Sequence, residues 1–254
     1  MLEHTALTSI IKLSSEVTNR LIFLDVLHDL VYGNYAKRLK ERRHLHKILE
    51  PHCWLFGPQF HLATSDKSFR EIVPKHREKA GLPPTDDDSI SDVKGIRKIP
   101  DLFLYAIREY PSDLKNHHLI VEIKAPKVSI GSTERDQIRK YGKIIRNAPE
   151  FDKISTRWDL FLISSEISED IEDDRRQKDK PIGWLAEWDN MTIWTFTWSE
   201  IIGRAKEEMM LIREHLKIKS EQLLISKYLR ENFPDVLGSL NKAADDQSTR
   251  HNHS

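Results

Sequence analysis

The segment from Trp158 to Ser164 constrains the fold more than any other part of this 254-residue chain. Its residues are almost all apolar, so a strand built from it has no polar face to turn towards water. Strands that are buried on both faces lie inside sheets that are covered on both sides, as in α/β proteins. The segment therefore predicts a central sheet with helices packed against it.

Strand-like and helical patterns alternate around this segment. Asp101–Ile107 and Leu119–Ile123 are apolar runs joined by a polar connection, which predicts a β-hairpin. Ser132–Asn147 carries its apolar residues on one face and predicts a helix. Two further strands are predicted at Trp184–Trp188 and Met191–Trp198. This order indicates an α/β domain with a mixed central sheet.

Helical extensions are predicted at both ends of this domain. The apolar residues from Ile10 to Leu27 follow a helical period, and a break is expected near Gly33. A second, strongly charged helix is predicted from Tyr35 towards Leu49, ending at Pro51, and a long amphipathic helix over Ser199–Asn232. The charged stretch Ser165–Lys180 is predicted to be a loop-like insertion.

These patterns divide the chain into four predicted segments. They are an N-terminal helical segment over residues 1–37, the α/β domain over 38–200, a C-terminal helical segment over 201–242 and a disordered tail over 243–254.

Charge and cysteine content limit the classes of function. The chain has 40 basic and 40 acidic residues, so any nucleic-acid contact must come from local basic patches. A single cysteine, Cys53, excludes an intramolecular disulfide and a cysteine-rich zinc cluster. No signal peptide is recognisable in Met1–Lys12, and no window reaches the ~18 apolar residues of a membrane span. The expected location is therefore cytoplasmic, with no membrane partner.

The residues with catalytic potential lie in the predicted hairpin. Asp101 opens its first strand, and Glu122-Ile123-Lys124 ends its second. Because side chains alternate along a strand, Glu122 and Lys124 point to one face and Ile123 to the other. The hairpin would thus bring two carboxylates and one ammonium group together at one edge of the sheet.

This combination suits hydrolysis of a phosphodiester. Two carboxylates can hold Mg²⁺, a hard cation that prefers oxygen ligands. The metal ion polarises the phosphate and lowers the pKa of a bound water, while a lysine can position that water and offset negative charge. The structural alternative is a salt bridge between Glu122 and Lys124 at a strand end, and the triplet alone does not decide between the two.

The residues around the triplet resemble a known family. Ile99-Pro100-Asp101-Leu102 followed by Val121-Glu122-Ile123-Lys124-Ala125-Pro126 is similar to the core of the PD-(D/E)xK nucleases, and most similar to the Shedu-type branch associated with bacterial anti-phage defence. Glu41 with the later run Trp54-Leu55-Phe56-Gly57 is similar to the leading helix of that branch. Gln137 and Tyr141 resemble its Gln-x-x-x-Tyr pair. The resemblance covers roughly residues 38 to 200.

The resemblance implies a restriction-endonuclease-like fold and assigns roles to residues. It implies a metal-dependent endonuclease that hydrolyses DNA with Mg²⁺ or Mn²⁺. It also implies a glutamate from the leading helix in the metal site, for which Glu41 is the candidate and Glu50 the alternative. The implied catalytic residues are Asp101, Glu122, Lys124, Glu41 and Gln137. The implied metal-site residues are Asp101, Glu122 and Ile123. The implied nucleic-acid contacts are Tyr141, Lys127, Arg42, Arg43 and Lys140.

A second resemblance concerns partners. The stretch that begins at Glu16-Val17-Thr18-Asn19-Arg20-Leu21 is similar to the C-terminal part of longer bacterial ATP-binding proteins of the histidine-kinase-type ATPase class. This sequence has no glycine-rich nucleotide loop, so the resemblance implies an ATPase partner or an ATPase domain outside this chain. A second copy of the chain is a further possible partner.

Two other functions remain open at this point. One is a catalytically silent module that keeps the nuclease fold to bind DNA or a partner ATPase. The other is a regulatory or dimerisation domain in which the terminal helices act and the strand motif is incidental. Two carboxylates beside a lysine favour the enzyme, because a binding module does not need them.

Overall fold

A computed structural model describes residues 2–34, 36–37, 39, 45–86, 90, 93–107 and 116–232. The helices and strands in these ranges are α1 (Leu2–Tyr32), α2 (His46–Leu49), a 3-10 helix (Glu50–Phe56), β1 (His61–Ser65), α3 (Phe69–Lys79), β2 (Leu102–Ile107), β3 (Asn116–Ile123), β4 (Ser129–Ile130), α4 (Ser132–Asn147), β5 (Thr156–Ser164), β6 (Glu166–Ile167), α5 (Glu169–Asp174), β7 (Trp184–Trp188), β8 (Met191–Thr197) and α6 (Trp198–Asn232).

A mixed six-stranded sheet forms the centre, in the order β1-β2-β3-β5-β8-β7. The pairs β1–β2, β2–β3 and β7–β8 are antiparallel, and β3–β5 and β5–β8 are parallel. Strands β4 and β6 form a separate parallel pair. The α/β class, the mixed sheet, the β2–β3 hairpin and the central position of β5 are thus confirmed.

Helices α3 and α4 cover one face of the sheet. Apolar side chains of both helices join the same buried cluster as Phe103, Ile120 and Leu160 of the strands. Gly142 lets α4 come close to β8, because a Cβ at that position would lie 3.1 Å from Sδ of Met191. The side chains of Leu104, Leu119 and Ile163, which alternate with these, are equally buried on the opposite face.

The chain divides into two compact units, Asp25–Ala205 and Met1–Leu24 with Lys206–Ser254. The larger unit contains both sheets. The smaller unit contains most of α1 and most of α6, where Val17 and Met209 are buried and Ile11 and Leu211 are exposed. The predicted disordered tail lies outside the described residues. No helix among the described residues has the length and apolarity that crossing a membrane requires.

Three sequence predictions about secondary structure need correction. Ser165–Lys180 is not simply a loop, since it contains β6 and α5, and Ile171 is fully buried. Three of the five acidic residues of α5, namely Glu169, Asp170 and Glu172, lie in its first turn, where they interact favourably with the helix dipole and need not indicate a solvated loop. Trp198 begins α6 rather than ending β8.

The third correction concerns the segment after Leu49. The α-helix ends at Leu49, as predicted, but Pro51 does not end the helical part of the chain. A 3-10 helix follows over Glu50–Phe56, with proline in its first turn, where the missing N–H is tolerated. Tyr35 and residues 38 and 40–44, which belong to the same prediction, lie outside the described residues.

Candidate active site

Asp101 and Glu122 face each other across the β2–β3 hairpin. Leu102 pairs with Val121, so the next pair outward in the antiparallel register consists of Asp101 and Glu122. Oδ2 of Asp101 accepts a hydrogen bond of 2.7 Å from the backbone amide of Ile123. The backbone carbonyl of Asp101 accepts another, of 2.9 Å, from the amide of Asp66. Both carboxylates are therefore held at the same end of the sheet, where β2 begins and β3 ends.

Lys124 reaches the same point from β3. Its Nζ lies 2.8 Å from Oε1 of Glu122. Its backbone amide donates to the carbonyl of Ile163, which fixes the residue just after the strand against β5. Asp101, Glu122 and Lys124 are exposed by only 2%, 3% and 8%. Together they form a largely buried cluster of two carboxylates and one ammonium group.

Gln137 and Tyr141 close the cluster from α4. Gln137 Nε2 donates to Oε1 of Glu122 at 2.6 Å, and Gln137 Oε1 accepts from Lys124 Nζ at 2.8 Å. Gln137 Nε2 also lies 3.0 Å from the Tyr141 hydroxyl, which donates to the carbonyl of Ile99 at 3.2 Å. The spacing of one helical turn predicted from the sequence thus brings both side chains to the motif.

The Tyr141 hydroxyl lies in the field of both carboxylates. Burial raises its pKa far above the ordinary value for tyrosine, the charge of Glu122 raises it further, and Asp101 adds to the increase. The hydrogen bond from Gln137 opposes this shift without cancelling it. Tyr141 therefore stays protonated at physiological pH and acts as a hydrogen-bond donor in this cluster.

The donor set of this cluster fits Mg²⁺. The ion binds proteins through one or two carboxylates and keeps several waters. Asp101 and Glu122 supply those carboxylates, and Lys124 is paired with Glu122 in the same cluster. Within the described residues no group of three or more His, Cys, Asp or Glu side chains is placed to hold a metal ion.

Ile123 can contribute only through its backbone. Its side chain is fully buried on the face of the sheet opposite Glu122, as the alternation of the strand predicts. Its amide is the donor that holds Asp101, so its described role is to position a carboxylate.

Of the two glutamates considered for the site, Glu41 and Glu50, the structure describes only Glu50. Glu41 lies outside the described residues, together with Arg42 and Arg43. Glu50, the alternative, begins the 3-10 helix, and its Oε1 accepts a hydrogen bond of 2.5 Å from Ser65 and lies 3.3 Å from Nε2 of His46. Ser65 pairs with Leu102, so Glu50 lies at the same end of the sheet as Asp101.

The basic residues assigned to DNA contacts differ in their surroundings. Lys127, in the turn after the motif, and Lys140, on α4, are both exposed. Neither is paired with a carboxylate within the described part of the chain. Arg135, also on α4, is already bound to Asp174 at 2.8 Å. Lys127 and Lys140 are therefore accessible to a phosphate, whereas Arg135 is already paired.

Sequence reasoning missed the support that β1 gives to the site. Asp66, directly after β1, adopts a positive φ of 50° and donates its backbone amide to Asp101. Strand β1 was not predicted, because its residues are polar or half-exposed and lack the apolar alternation of a core strand. The sequence alone does not show that Asp66 adopts a left-handed backbone conformation, because Asp occurs there only occasionally.

Neither a protein-family model nor a curated protein matches this chain. The assignment of the site therefore depends on the motif residues and on the geometry described above.

Proposed function

We propose that this chain is a metal-dependent nuclease of the PD-(D/E)xK kind that hydrolyses DNA phosphodiester bonds. The observation that supports it best is the buried cluster in which Gln137 binds both Glu122 and Lys124 while Asp101 faces Glu122. Two carboxylates at the same end of the sheet are the kind of oxygen ligands with which a protein binds Mg²⁺.

The residues of the cluster divide the work of hydrolysis. Asp101 and Glu122 would hold Mg²⁺ or Mn²⁺, which when bound polarises a phosphate and activates water. Lys124 would hold the attacking water and stabilise the negative charge that develops on the phosphate oxygens. Gln137 keeps Lys124 and Glu122 in fixed positions, and the protonated Tyr141 keeps Gln137 in place. Lys127 and Lys140 would contact the DNA backbone.

The same proposal includes the fold type, the nuclease branch and the biological role. A mixed sheet with helices on it is compatible with a restriction-endonuclease-like core, and the motif order supports the Shedu-type branch. A role in anti-phage defence and a functional link to an ATPase follow from that resemblance alone, since fold and motif do not identify a biological role.

One observation favours the catalytically silent alternative. Lys124 and Glu122 are paired directly at 2.8 Å, which is also the geometry of a structural salt bridge. In that case the domain would bind DNA through its exposed lysines and would leave the phosphodiester intact.

Nicking of supercoiled plasmid with Mg²⁺ or Mn²⁺ separates these two functions. The wild type is compared with Asp101→Asn and Lys124→Met, which keep the shape of each side chain and remove its charge. Asp136→Asn and Lys143→Met are matched controls, since both residues are exposed on α4. Metal-dependent nicking that is lost in the two site variants and kept in the controls supports the nuclease. DNA binding without nicking by the folded wild type supports the silent module.

A further inference from the structure

A cavity lies at the end of the larger sheet that is opposite the candidate active site. Its volume is about 130 Å³, and it is lined by the end of α4, the loop that follows and the β7–β8 turn. Trp158 and Met191 form part of its wall near the starts of β5 and β8, whereas Glu122 lies near the end of the parallel strand β3. Arg146 is nine residues beyond Gln137 on α4, roughly 13 Å along the helix axis.

The cavity has an apolar side made of aromatic rings. Trp158 is almost fully buried, and its Nε1 donates to the carbonyl of Asp152 at 2.9 Å, so its orientation is fixed. Met191 pairs with Trp158 of β5 on one side and with Trp188 of β7 on the other, so the three residues lie in a row across the strands. Trp158 and Met191 are buried and Trp188 is half-buried, so Trp188 offers most of the apolar surface that a planar ligand can reach.

Arg146 supplies a cationic group that is not neutralised. Its guanidinium lies 4.3 Å from the centre of the Trp188 ring, in a cation–π contact. Its Nε is buried and donates no hydrogen bond, and no carboxylate among the described residues pairs with it. Arg146 as a whole is only half-buried and lines the cavity, so an anion in the cavity can approach its guanidinium group and would be stabilised there.

Two more charges define the net charge of the cavity. Lys153 Nζ donates to the carbonyls of Arg146 and Ala148, both at 3.1 Å, which uses two of its three N–H donors. Asp189, exposed in the β7–β8 turn, contributes one negative charge. Two positive charges against one negative charge favour an anion with a single charge.

The cavity is held in shape by the backbone around it. Asn190 Nδ2 donates to the carbonyl of Lys153 at 2.7 Å, and the amide of Trp158 donates to the carbonyl of Asn190 at 2.8 Å. These bonds tie the β7–β8 turn to the loop after α4. A site that is formed before the ligand arrives requires little ordering on binding.

We propose that this cavity is a binding site for a small aromatic carboxylate, with the ring against Trp188, next to Met191 and Trp158, and the carboxylate on Arg146. The volume is slightly below the roughly 150 Å³ of an apolar cavity that accepts benzene, so it matches a single six-membered ring. The proposal is independent of nuclease activity, because no residue of the candidate active site contributes to it.

Titration with benzoate, followed through the indole N–H resonances in a ¹H–¹⁵N NMR spectrum, tests this site. We expect saturable millimolar binding that perturbs the indole signals of Trp158 and Trp188. Acetate, which lacks the ring, and benzyl alcohol, which lacks the charge, should bind about tenfold more weakly or not at all. Equal responses to acetate and benzoate, or no response to benzoate, would overturn the proposal.

Three variants assign the response to individual groups. Arg146→Gln should weaken benzoate binding about tenfold. Arg204→Gln is the matched control, since Arg204 stacks on Phe196 outside the cavity, and it should leave binding unchanged. Asp189→Asn should tighten binding about twofold to fivefold by removing the negative charge, and Asn tolerates the positive φ of 42° at this position. Unchanged binding in both Arg146→Gln and Asp189→Asn would refute the site.

A single-stranded oligonucleotide serves as the competing ligand in the same experiment. If a short oligothymidylate shifts the indole signals of Trp158 and Trp188 at lower concentration than benzoate, the cavity belongs to a nucleic-acid surface and the proposal is wrong. If it leaves them unchanged, the small-carboxylate site stands.

Discussion

Gln137 donates a hydrogen bond of 2.6 Å to Oε1 of Glu122, the oxygen that also receives Lys124. Since Gln137 accepts from Lys124 at the same time, one amide group fixes both charged partners. An amide is suited to this because it offers a donor and an acceptor and carries no charge. Gln137 is therefore a positioning residue of the candidate active site.

Replacement of Gln137 by leucine should reduce plasmid nicking by about 10-fold to 100-fold, because groups that orient metal ligands have effects of this size. The Mg²⁺ concentration that gives half-maximal activity should increase as well, since Glu122 loses its orientation. Asp136→Asn, at the exposed neighbouring residue, should change neither quantity. Reduced activity with an unchanged Mg²⁺ dependence would contradict the positioning role.

The pair Glu122–Lys124 permits a test that separates stability from catalysis. Lys124→Met leaves the buried Glu122 carboxylate without its ammonium partner, so it should lower the free energy of unfolding by about 3 to 5 kcal/mol. Glu122→Gln should cost less, because Asp101 stays in the cluster as a counter-charge for Lys124. The double variant removes both charges of the pair and should recover at least half of the loss caused by Lys124→Met. Urea denaturation of the four proteins measures the coupling.

Activity should not follow the same pattern. Under the nuclease proposal the double variant stays inactive although its stability is recovered, because a metal ligand and the catalytic lysine are both missing. Full nicking activity in the stable double variant would show that the pair has a structural role only.

Addition of Mg²⁺ should raise the midpoint temperature of unfolding of the wild type. A ligand that binds only the folded state adds RT ln(1 + [L]/Kd), about 2.7 kcal/mol at a hundredfold excess over Kd. Asp101→Asn should remove this increase, and excess EDTA should reverse it in the wild type. The exposed-residue variant Glu187→Gln is the control. An equal increase in wild type and Asp101→Asn would place the ion elsewhere.

Much of this architecture could be predicted from the sequence, because it depends on patterns within single segments of the chain. The hairpin residues Leu102–Ile107 and the strand Thr156–Ser164 have apolar side chains on both faces, and such runs have few alternatives to a central strand. The alternation of a strand also placed Glu122 and Lys124 on one face before the fold was known. Helix α4 carries its apolar stripe clearly enough for its bounds to be predicted to the residue.

What could not be predicted depends on contacts between distant segments. Strand β1 is an edge strand with polar residues and has no local pattern that indicates its structure. Helix α3 begins with a capping box formed by Ser68 and Glu71, but Pro74 in its interior weakens the helical pattern. The bond from Asp66 to Asp101 joins these segments to the site and has no signature in the sequence. The same applies to the cavity at Arg146, which is formed by three segments.

Two buried histidines should make stability depend on pH. His76 and His118 lie 5.0 Å apart, ring centre to ring centre, packed among aromatic side chains. Burial lowers the pKa of His76 to about 4, despite the opposing charge of Asp152. Burial also lowers the pKa of His118 well below its ordinary value, and His76 and His117 add to this. Both rings are therefore neutral in the folded state.

The direction of the effect follows from these shifts. In the unfolded chain both histidines take up a proton as the pH falls through about 6.5. The folded protein does not protonate His76 until about pH 4. Stability is therefore complete above pH 6.5 and decreases as the pH falls from 6.5 towards 4, by up to about 1.4 kcal/mol per pH unit for each histidine.

Urea denaturation at pH 7.5 and pH 5.5 measures this decrease, which should be about 2 to 3 kcal/mol for the two histidines together. His118→Phe keeps the ring contacts with Phe103 and Trp158 and removes one titrating group, so it should reduce the decrease by about half. His215→Gln, at an exposed histidine, should leave the decrease unchanged. An identical pH dependence in wild type and His118→Phe would show that His118 is protonated in the folded protein or contributes nothing to acid sensitivity.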